Sequence, residues 1–397
     1  MKAIKIVLIT ILCGFIVFLG VVLGVGARRG TDFNHGFGKP YELAGEWEVP
    51  AAEIERLYID YHMNSNNVYL YEGTGENIVI REYVTFKERE EWFSTIEEDG
   101  DRLIVKGRRR HFGFFSTGGF NSGAYIEIYL PSGLLQEIDI VTTSGEICVE
   151  RDFAGCESFS VESSSGDIRV QRVEAEKITA EASSGDITFD YAKGEVTARA
   201  SSGNIVFHQI VGDAAIATSS GEITVRQIEG NAAVSASSGD VTLYQVEGDA
   251  AVSTSSGEIQ VLGGAGSRNL SASSGSIRLA DMDGIFNLHT TSGEIYVENG
   301  SGYGEARASS GDIDIRLVEM NGSLDIHTTS GEVSIYIPTE VSFSFVFDSA
   351  SGECVTFFDD CLSFNRRGTS AKGDYGSSPD KKINISTSSG DVYIREQ

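Results

Sequence analysis

The sequence is poor in the residues that build most catalytic and metal sites. Its six histidines are scattered, and its five cysteines form no Cys-x-x-Cys pair. No serine has a repeated histidine partner, so the pattern indicates neither a nucleophilic triad nor a zinc or redox motif. We therefore expect no metal and no cofactor, and free thiols rather than disulfides.

Proline and basic residues are also scarce. Five prolines stand against 46 glycines, a balance that favours many tight turns needing a positive φ. Lys and Arg number 31 against 58 Asp and Glu, which leaves a formal net charge of −27. A chain this acidic repels nucleic acid and anionic lipid headgroups, so we exclude DNA, RNA and peripheral lipid binding as main functions.

One long apolar stretch stands at the front, from Ile4 to Ala27, and Lys5 near its start is its one charged residue. Its 24 residues are enough to cross a bilayer as a helix. A cleaved signal peptide has a shorter apolar stretch, of about 7–15 residues, although Val25-Gly26-Ala27 resembles a cleavage site. We predict a transmembrane anchor, or an uncleaved signal, over residues 1–27.

The orientation of this anchor is weakly marked, because two basic residues lie on each side of it. We expect a single-pass protein of the cell membrane with its large domain outside, since uncleaved anchors of this kind usually export the domain that comes after them. A cytoplasmic domain stays open. Residues 28–46 are polar and without periodicity, which predicts a linker.

Residues 47–140 predict an irregular β region. Their apolar residues alternate imperfectly and are interrupted by Gly, Asn and Asp, as in short strands. The strand-like runs are Leu57–Tyr61, Val68–Tyr71, Ile78–Thr85, Leu103–Lys106 and Tyr125–Leu130.

From residue 141 to residue 397 a Ser-Gly corner recurs. Between Gly185 and Gly311 every step is 18 residues, and a second glycine follows most corners after nine. Apolar residues between the turns recur at period two, which is typical of strands. Because one such coil cannot bury its apolar face alone, coils must stack. The pattern predicts an all-β protein, a parallel β-helix or β-solenoid with coils of about 18 residues.

Two features refine this prediction. Three positions before the corner glycine, Ala and Thr alternate through much of the central array; Thr coils carry Glu after the glycine, and Ala coils carry Asp, Asn or Ser. This indicates a 36-residue super-repeat, which we attribute to packing of small and larger groups along a narrow core. Near the C-terminus, Phe343, Phe345 and Phe347 predict an aromatic cap over the open end.

The acid after each corner glycine is the first candidate site. Stacking would hold like charges about 5 Å apart, at a cost of roughly 1 kcal/mol per pair in water. The acids are therefore either a stripe that binds cations or a ligand, or solvated turn residues. Calcium-binding nonapeptide rolls need G-G-x-G-x-D in every half-coil, and the second half lacks it here. The candidate acids are Glu222, Asp240, Glu258, Glu294 and Asp312.

The serines beside these acids have two interpretations. A row of hydroxyls is suited to binding sugar or ice, whereas serines in turns commonly satisfy turn amides. We expect the second role.

A basic-aromatic loop is the second candidate site. Its positive charge and rings favour contact with lipid headgroups, wall polymers or a protein; alternatively, its rings cover the N-terminal end of the solenoid. The candidate residues are Arg108, Arg109, Arg110, Phe112 and Phe114.

The segments Tyr125–Pro131, Ile138–Val141 and Thr142–Ile147, with the repeated S-S-G-[DE]-[IV] motif, resemble a bacterial family named for putative adhesins. It is a domain-of-unknown-function group that includes LiaG-like membrane proteins, and the resemblance covers residues 55–397. It implies a single-stranded parallel β-helix on the cell surface, often anchored by one helix, and a loose link to envelope-stress systems. It brings no catalytic or binding residues.

Together these observations favour a membrane-anchored, non-enzymatic surface solenoid, an adhesin or envelope-interaction protein whose partner is a cell-wall or surface polymer or a protein. One alternative is a regulatory or scaffold protein of an envelope-stress pathway. A second is a polysaccharide-active β-helix enzyme, which would need acids and a basic residue on long loops beside a groove. The regular coils have almost no insertions.

Overall fold

The computed structural model describes residues 41–62, 66–85, 93–108, 124–133 and 135–397. These residues form an all-β solenoid with almost no helix, the exceptions being 3-10 turns such as Ala51–Glu53 and Asp359–Cys361. No helix within these ranges has the length and apolar character to cross a membrane. The predicted anchor, residues 1–27, lies outside the described residues.

The strands follow one another with short connections. The N-terminal part contains β1 (Glu42–Pro50), β2 (Arg56–Tyr61), β3 (Asn67–Glu72), β4 (Asn77–Val84), β5 (Thr95–Asp99), β6 (Arg102–Lys106), β7 (Ala124–Leu130) and β8 (Glu137–Thr142). The central array contains β9 (Ile147–Ser163), β10 (Ile168–Ala182), β11 (Ile187–Ala200), β12 (Ile205–Val211), β13 (Ala214–Thr218), β14 (Ile223–Val225), β15 (Ile228–Glu229), β16 (Ala232–Ala236), β17 (Val241–Val246), β18 (Ala250–Thr254), β19 (Ile259–Gly264), β20 (Arg268–Ala272), β21 (Ile277–Ala280), β22 (Asp283–Thr290), β23 (Ile295–Ser310) and β24 (Ile313–Ser330). The C-terminal part contains β25 (Val333–Ile337), β26 (Phe343–Ser349), β27 (Cys354–Thr356), β28 (Leu362–Phe364), β29 (Ser370–Tyr375), β30 (Lys381–Ser389) and β31 (Val392–Glu396).

The five predicted strand runs correspond to β2, β3, β4, β6 and β7, with ends that differ by at most one residue. The first strand begins at Glu42, inside the segment predicted as a linker, and its register with β4 is interrupted between Leu43 and Gly45. The sequence reasoning missed β1 because Trp47 and Val49 are too few apolar residues to show an alternation.

Coils in the central array stack in parallel register with a step of 18 residues. Ile187 pairs with Ile205, Ile205 with Ile223, and Ile223 with Val241. Every second residue of β13, β16 and β18 is buried, as the period-two pattern predicts, whereas β12 and β17 have two outward residues before their last buried one. The inward residues form one continuous apolar core along the stack.

The corner glycines are required for close approach, and the positive φ that the glycine content predicts occurs instead at second-turn glycines such as Gly194, Gly212 and Gly284. From Gly185 to Gly311 no corner glycine has a left-handed backbone. A Cβ on any of them would lie 1.7–2.0 Å from the carbonyl oxygen of the glycine in the preceding coil. Stacked backbones meet so closely at this corner that no side chain fits between them.

The C-terminal coils stack in an order that differs from their order in sequence. Strands β30 and β31 lie directly on β24 and β25, and β26 and β27 lie on the outside of β30 and β31. The last coil of the chain is therefore enclosed between two others. The outermost coil carries Phe343, Phe345 and Phe347, all buried, with Phe358 edge-on at ring-centroid distances of 5.2 Å from Phe343 and 5.5 Å from Phe345.

The N-terminal coils show the same exchange. Strands β2 and β3 lie directly on β8 and β9, while β6 and β7 lie outside them. Antiparallel strands β4 and β5 then cover β7 and β6, and β1 covers β4. Neither end of the stack is therefore a plain parallel edge, which limits pairing with other chains.

Arg268 interrupts the otherwise apolar interior. It is fully buried at the position that Ala250 occupies one coil earlier. Its guanidinium donates to the carbonyl oxygens of Val246 at 2.7 Å, Gly248 at 2.7 Å and Ala265 at 2.8 Å. Arg268 forms no ion pair within 4.0 Å among the described residues, although Asp249 and Glu247 are near enough to act on its charge, and its hydrogen bonds complete the irregular turn before it.

We expect Gly239→Ala to lower the free energy of unfolding by roughly 3 kcal/mol, because its Cβ would meet the Gly221 carbonyl oxygen at 1.7 Å and the coils would have to separate. Gly75→Ala is the matched control, since the nearest atom to its Cβ would lie 3.9 Å away. Denaturant unfolding followed by circular dichroism measures both. Equal stability of the two variants would contradict the close-approach explanation.

We expect truncation after Asp380 to destabilise the solenoid severely. It removes an enclosed coil whose Ile383, Ile385, Val392 and Ile394 are buried, a loss on the order of 6–12 kcal/mol of apolar burial. Truncation after Glu396, which removes one exposed residue, is the control. An unchanged unfolding midpoint after the longer truncation would show that the C-terminal coil is not enclosed.

Candidate functional site

The acids of the Ser-Gly corner fall into two groups by length. Asp240 and Asp312 accept a hydrogen bond from the backbone N–H of the acid in the next coil, Glu258 at 2.8 Å and Glu332 at 2.7 Å. Asn204 does the same for Glu222 at 2.9 Å. The shorter side chains therefore tie one coil to the next.

The glutamates of the row do not make this contact. Glu258 accepts from the Gln260 side chain at 3.1 Å, and Glu294 accepts from the Tyr296 hydroxyl. Glu222 is exposed and forms no hydrogen bond through its side chain. Of the five predicted acids, two therefore stabilise the stack, and three carry carboxylates that point outward.

Hydrogen bonding also explains the 36-residue alternation. In three of the four Thr coils the buried hydroxyl accepts from the N–H of the corner glycine, as Thr218 does from Gly221 at 3.1 Å, and it donates to the carbonyl of the preceding corner, as Thr218 does to Gly203 at 3.4 Å; the Thr328 hydroxyl is buried without a partner. Ala coils lack this hydroxyl, and the short residue after their corner glycine, Asp, Asn or Ser, accepts from the amide of the next coil instead. The alternation therefore depends on polar contacts as well as on the packing that the sequence suggested.

The expectation that corner serines satisfy turn amides is wrong for the central coils. The amide of Ser220 donates to the carbonyl of Ser201 at 3.0 Å, and the amide of Ser238 donates to Ser219 at 2.9 Å. Stacked backbones thus satisfy these amides. The hydroxyls are left exposed and without a hydrogen bond in the described structure; they belong to Ser183, Ser184, Ser201, Ser202, Ser219, Ser220, Ser237, Ser238, Ser255, Ser256, Ser273 and Ser274.

We call these hydroxyls, with the outward glutamates beside them, the corner face. A shallow groove follows part of it and is lined by Ser183, Ser201, Ser219 and Ser237, with Arg199 at its side. Within the described ranges, no three His, Cys, Asp or Glu residues lie close enough to hold a metal ion. The corner face therefore offers hydrogen-bonding groups and negative charge over an extended surface.

Of the basic-aromatic loop, the described residues include only Arg108, which is exposed. Arg109, Arg110, Phe112 and Phe114 lie outside them. The cysteines that the structure describes are free thiols: Cys148 is half-buried, Cys156 and Cys354 are buried, and Cys361 is exposed.

A second cavity opens beside Arg151, lined among others by Glu72, Leu135 and Phe153. The Arg151 side chain is nearly buried and donates to the carbonyls of Leu130 and Pro131. Glu72 lies 3.5 Å away. Because the guanidinium is already satisfied, the cavity holds no free positive group for an anion.

The outward face of the N-terminal strands carries a cluster of aromatic side chains that the sequence reasoning missed. Six of the chain's fifteen tyrosines lie there, and we call them the tyrosine platform: Tyr41, Tyr69, Tyr71, Tyr83, Tyr125 and Tyr129. Strand β7 pairs with β4 on one side and with β3 on the other, which brings their outward residues together. The available signal was tyrosine at positions where an alternating strand usually places polar residues.

The platform rings contact one another. Tyr125 lies at the centre, with ring centroids 4.7 Å from Tyr83, 4.9 Å from Tyr41 and 5.8 Å from Tyr69. Tyr71 and Tyr129 form a second row at 5.4 Å. Burial, and then the charge of Glu150, raises the pKa of Tyr71 to about 12.

The chain matches the family model Toastrack DUF4097 over residues 54–261, 190–286 and 248–395. No curated protein matches it in sequence. Among solved structures it is similar to a putative cell adhesion protein from Clostridium sporogenes, at 9% identity and a TM-score of 0.19, covering 90% of this chain and 100% of that one.

Two proteins from Parabacteroides distasonis are also similar. One, described as a putative lipid binding protein, has 16% identity and a TM-score of 0.26 over 73% of this chain and 98% of that one. The other, described as a putative adhesin, has 12% identity and a TM-score of 0.25 over 72% and 98%. Structural likenesses this distant support no conclusion about function. The family model covers most of the chain in three overlapping matches, and the chain therefore belongs to the Toastrack DUF4097 family.

Proposed function

We propose that this protein is a non-enzymatic adhesion protein of the bacterial cell envelope. Residues 1–27 anchor it in the membrane, the solenoid lies on the outer side, and the corner face binds a neutral, hydroxyl-rich polymer of the wall or cell surface.

The single observation that carries this proposal is the regular row of free hydroxyls on the corner face. Equivalent serines of adjacent coils, such as Ser201, Ser219 and Ser237, are separated by one coil, or about 4.8 Å. Each hydroxyl contributes little alone. A repeating surface engages a repeating ligand at many points, and the contacts then reinforce one another.

The negative charge of the corner face limits which class of polymer it can bind. Glu222, Glu258 and Glu294 direct carboxylates outward along the same edge as the serines, and the whole chain has a net charge of −27. An anionic polymer would be repelled over this length. A neutral polysaccharide can donate its hydroxyls to the serines and to the carboxylates.

We expect the combined change Ser201→Ala, Ser219→Ala, Ser237→Ala and Ser255→Ala to weaken binding of the full chain to bead-immobilised neutral cell-wall polysaccharide by about thirtyfold or more. Each lost hydrogen bond is worth on the order of 0.5–1.5 kcal/mol, so four cost at least about 2 kcal/mol, and each 1.4 kcal/mol corresponds to about tenfold in affinity. Co-sedimentation of the detergent-solubilised protein with the beads measures the affinity.

The matched control removes hydroxyls from the outward face of the first strand of each coil, by Thr188→Ala, Thr224→Ala and Thr242→Ala. These threonines are half-buried on strands of the same coils, and their loss is expected to leave binding unchanged. Wild-type binding by the serine variant, or no sedimentation of the unaltered chain, would rule out the corner face as the binding surface.

The outward orientation has its own test. A site-specific protease sequence inserted after Gly30, in the predicted linker, is expected to let protease added to intact cells release the solenoid, because the linker would lie outside the membrane. Immunoblotting of the medium detects the released fragment, and a cytoplasmic protein with the same inserted sequence is the control. Release only after cell lysis would place the domain inside the cell.

A further inference from the structure

The tyrosine platform differs from the corner face in position and in chemistry. Outward positions of a solvated sheet face are ordinarily polar, and a cross-strand aromatic pair stabilises a sheet by only about 0.2–1 kcal/mol. Here six rings cover adjacent strands, and Tyr41 remains 49% exposed. The platform is therefore larger than sheet stability requires.

The rings are already in contact before any ligand arrives. Tyr125 touches three other tyrosines, and Tyr83 lies against it at an interplanar angle of 13°. Tyrosine has few rotatable bonds, so a ligand that binds here orders little that is not already ordered. Preorganised aromatic surface of this kind is characteristic of recognition sites.

Charge on the platform is unbalanced. Arg81 bonds to Glu46 at 3.1 Å and lies over the Tyr129 ring at 5.2 Å, so its charge is compensated. Glu127 lies opposite Arg81 in the β4–β7 register and accepts from the Tyr129 hydroxyl at 3.0 Å and from the Tyr83 hydroxyl, while Glu150 accepts from the Cys148 thiol at 3.6 Å. Neither carboxylate forms an ion pair with a basic residue among the described residues.

Aromatic faces beside uncompensated carboxylates are complementary to organic cations. An ammonium group gains from the ring quadrupole by about 0.5–2 kcal/mol and from the carboxylates through charge-assisted hydrogen bonds. The same carboxylates disfavour an anionic ligand such as a nucleic acid, even though its bases could stack on the tyrosine rings.

The shape of the platform indicates which kind of molecule would bear that ammonium group. The Tyr71–Tyr129 row and the row through Tyr125 are offset along the strands, with Glu127 between Tyr125 and Tyr129 on β7. This is an open, extended surface and not a cage for one headgroup. A lysine-rich peptide would lose about 2 kcal/mol of side-chain entropy for each fixed lysine, whereas a sugar ring is rigid and presents a flat C–H face to a tyrosine.

We propose that the tyrosine platform binds a glycan whose sugars carry free amino groups. The sugar faces stack on the Tyr71–Tyr129 row and on Tyr125, and Glu127 and Glu150 take up the ammonium groups. This site is independent of the corner face, so either can fail without the other.

The test titrates the full chain in detergent with a glucosamine hexamer, by isothermal calorimetry at about pH 5.5, where the amino groups of the hexamer are protonated and the glutamates are still ionised. An N-acetylglucosamine hexamer has the same sugar rings but no positive charge, and a lysine hexamer has the positive charge but no sugar rings; both are titrated in the same way. We expect binding of the glucosamine hexamer that is at least tenfold tighter than that of either comparison ligand.

Two variants address the two parts of the platform. Tyr71→Leu is expected to weaken glucosamine-hexamer binding by fivefold to tenfold, and Glu127→Gln is expected to weaken it similarly and to reduce its dependence on salt. Tyr244→Leu is the matched control, because Tyr244 is also an exposed strand tyrosine, 39% accessible, in the central array. Thermal unfolding by circular dichroism checks that each variant is folded. If Tyr71→Leu does not fold, Glu127→Gln, which alters no packed ring, tests the proposal by itself.

Several results would overturn the proposal. Equal binding of the N-acetylated hexamer would show that the carboxylates play no part. A lysine hexamer that binds as tightly, and is unaffected by Tyr71→Leu, would indicate attraction by charge alone. Absence of glucosamine-hexamer binding by the unaltered chain would exclude the site, whatever the corner face binds.

Discussion

The whole architecture depends on how closely successive backbones meet at the Ser-Gly corner. A Cβ on Gly203 would lie 1.8 Å from the carbonyl of Gly185, and a Cβ on Gly221 would lie 1.9 Å from the carbonyl of Gly203. Because this corner admits only hydrogen, its glycine keeps each coil in register with the next. Equivalent residues then line up, and any surface property that repeats in sequence becomes a row in space.

That alignment turns small differences in side-chain length into different roles. An aspartate at the acid position reaches the amide of the next coil, as Asp240 reaches Glu258, whereas a glutamate one methylene longer extends outward. The stack is thus reinforced by its short acids, and the longer ones remain with the serine hydroxyls on the corner face. A like-charged row is tolerable because it is solvated and because its short members are held by backbone amides.

The ends of the rod obey a different constraint. A parallel stack must stop somewhere, and an open edge would pair with other chains. At both ends, the coil closer in sequence to the chain terminus stacks directly on the central array, and a coil further from the terminus in sequence lies outside it. Antiparallel strands such as β4 and β29 then cover this outer coil. At the N-terminal end the same arrangement assembles the tyrosine platform, since β4, β7 and β3 would not be neighbours in a plain coil-by-coil stack.

The sequence by itself determined the repeating unit. The 18-residue step, the period-two burial and the aromatic residues near the C-terminus all follow from which side chains can share a narrow interior. Because Ile187, Ile205 and Ile223 recur at one step, their pairing was predictable.

Only the tertiary structure decided three other things. It showed that the corner glycines serve close contact, since neither φ nor the distance between coils is encoded in a spacing. It placed β30 and β31 inside β26 and β27, because parallel strands with equivalent apolar patterns can stack in either order. It brought Tyr69, Tyr83 and Tyr125 together from three strands, because a shared surface depends on which strands are neighbours, and that neighbourhood is long-range.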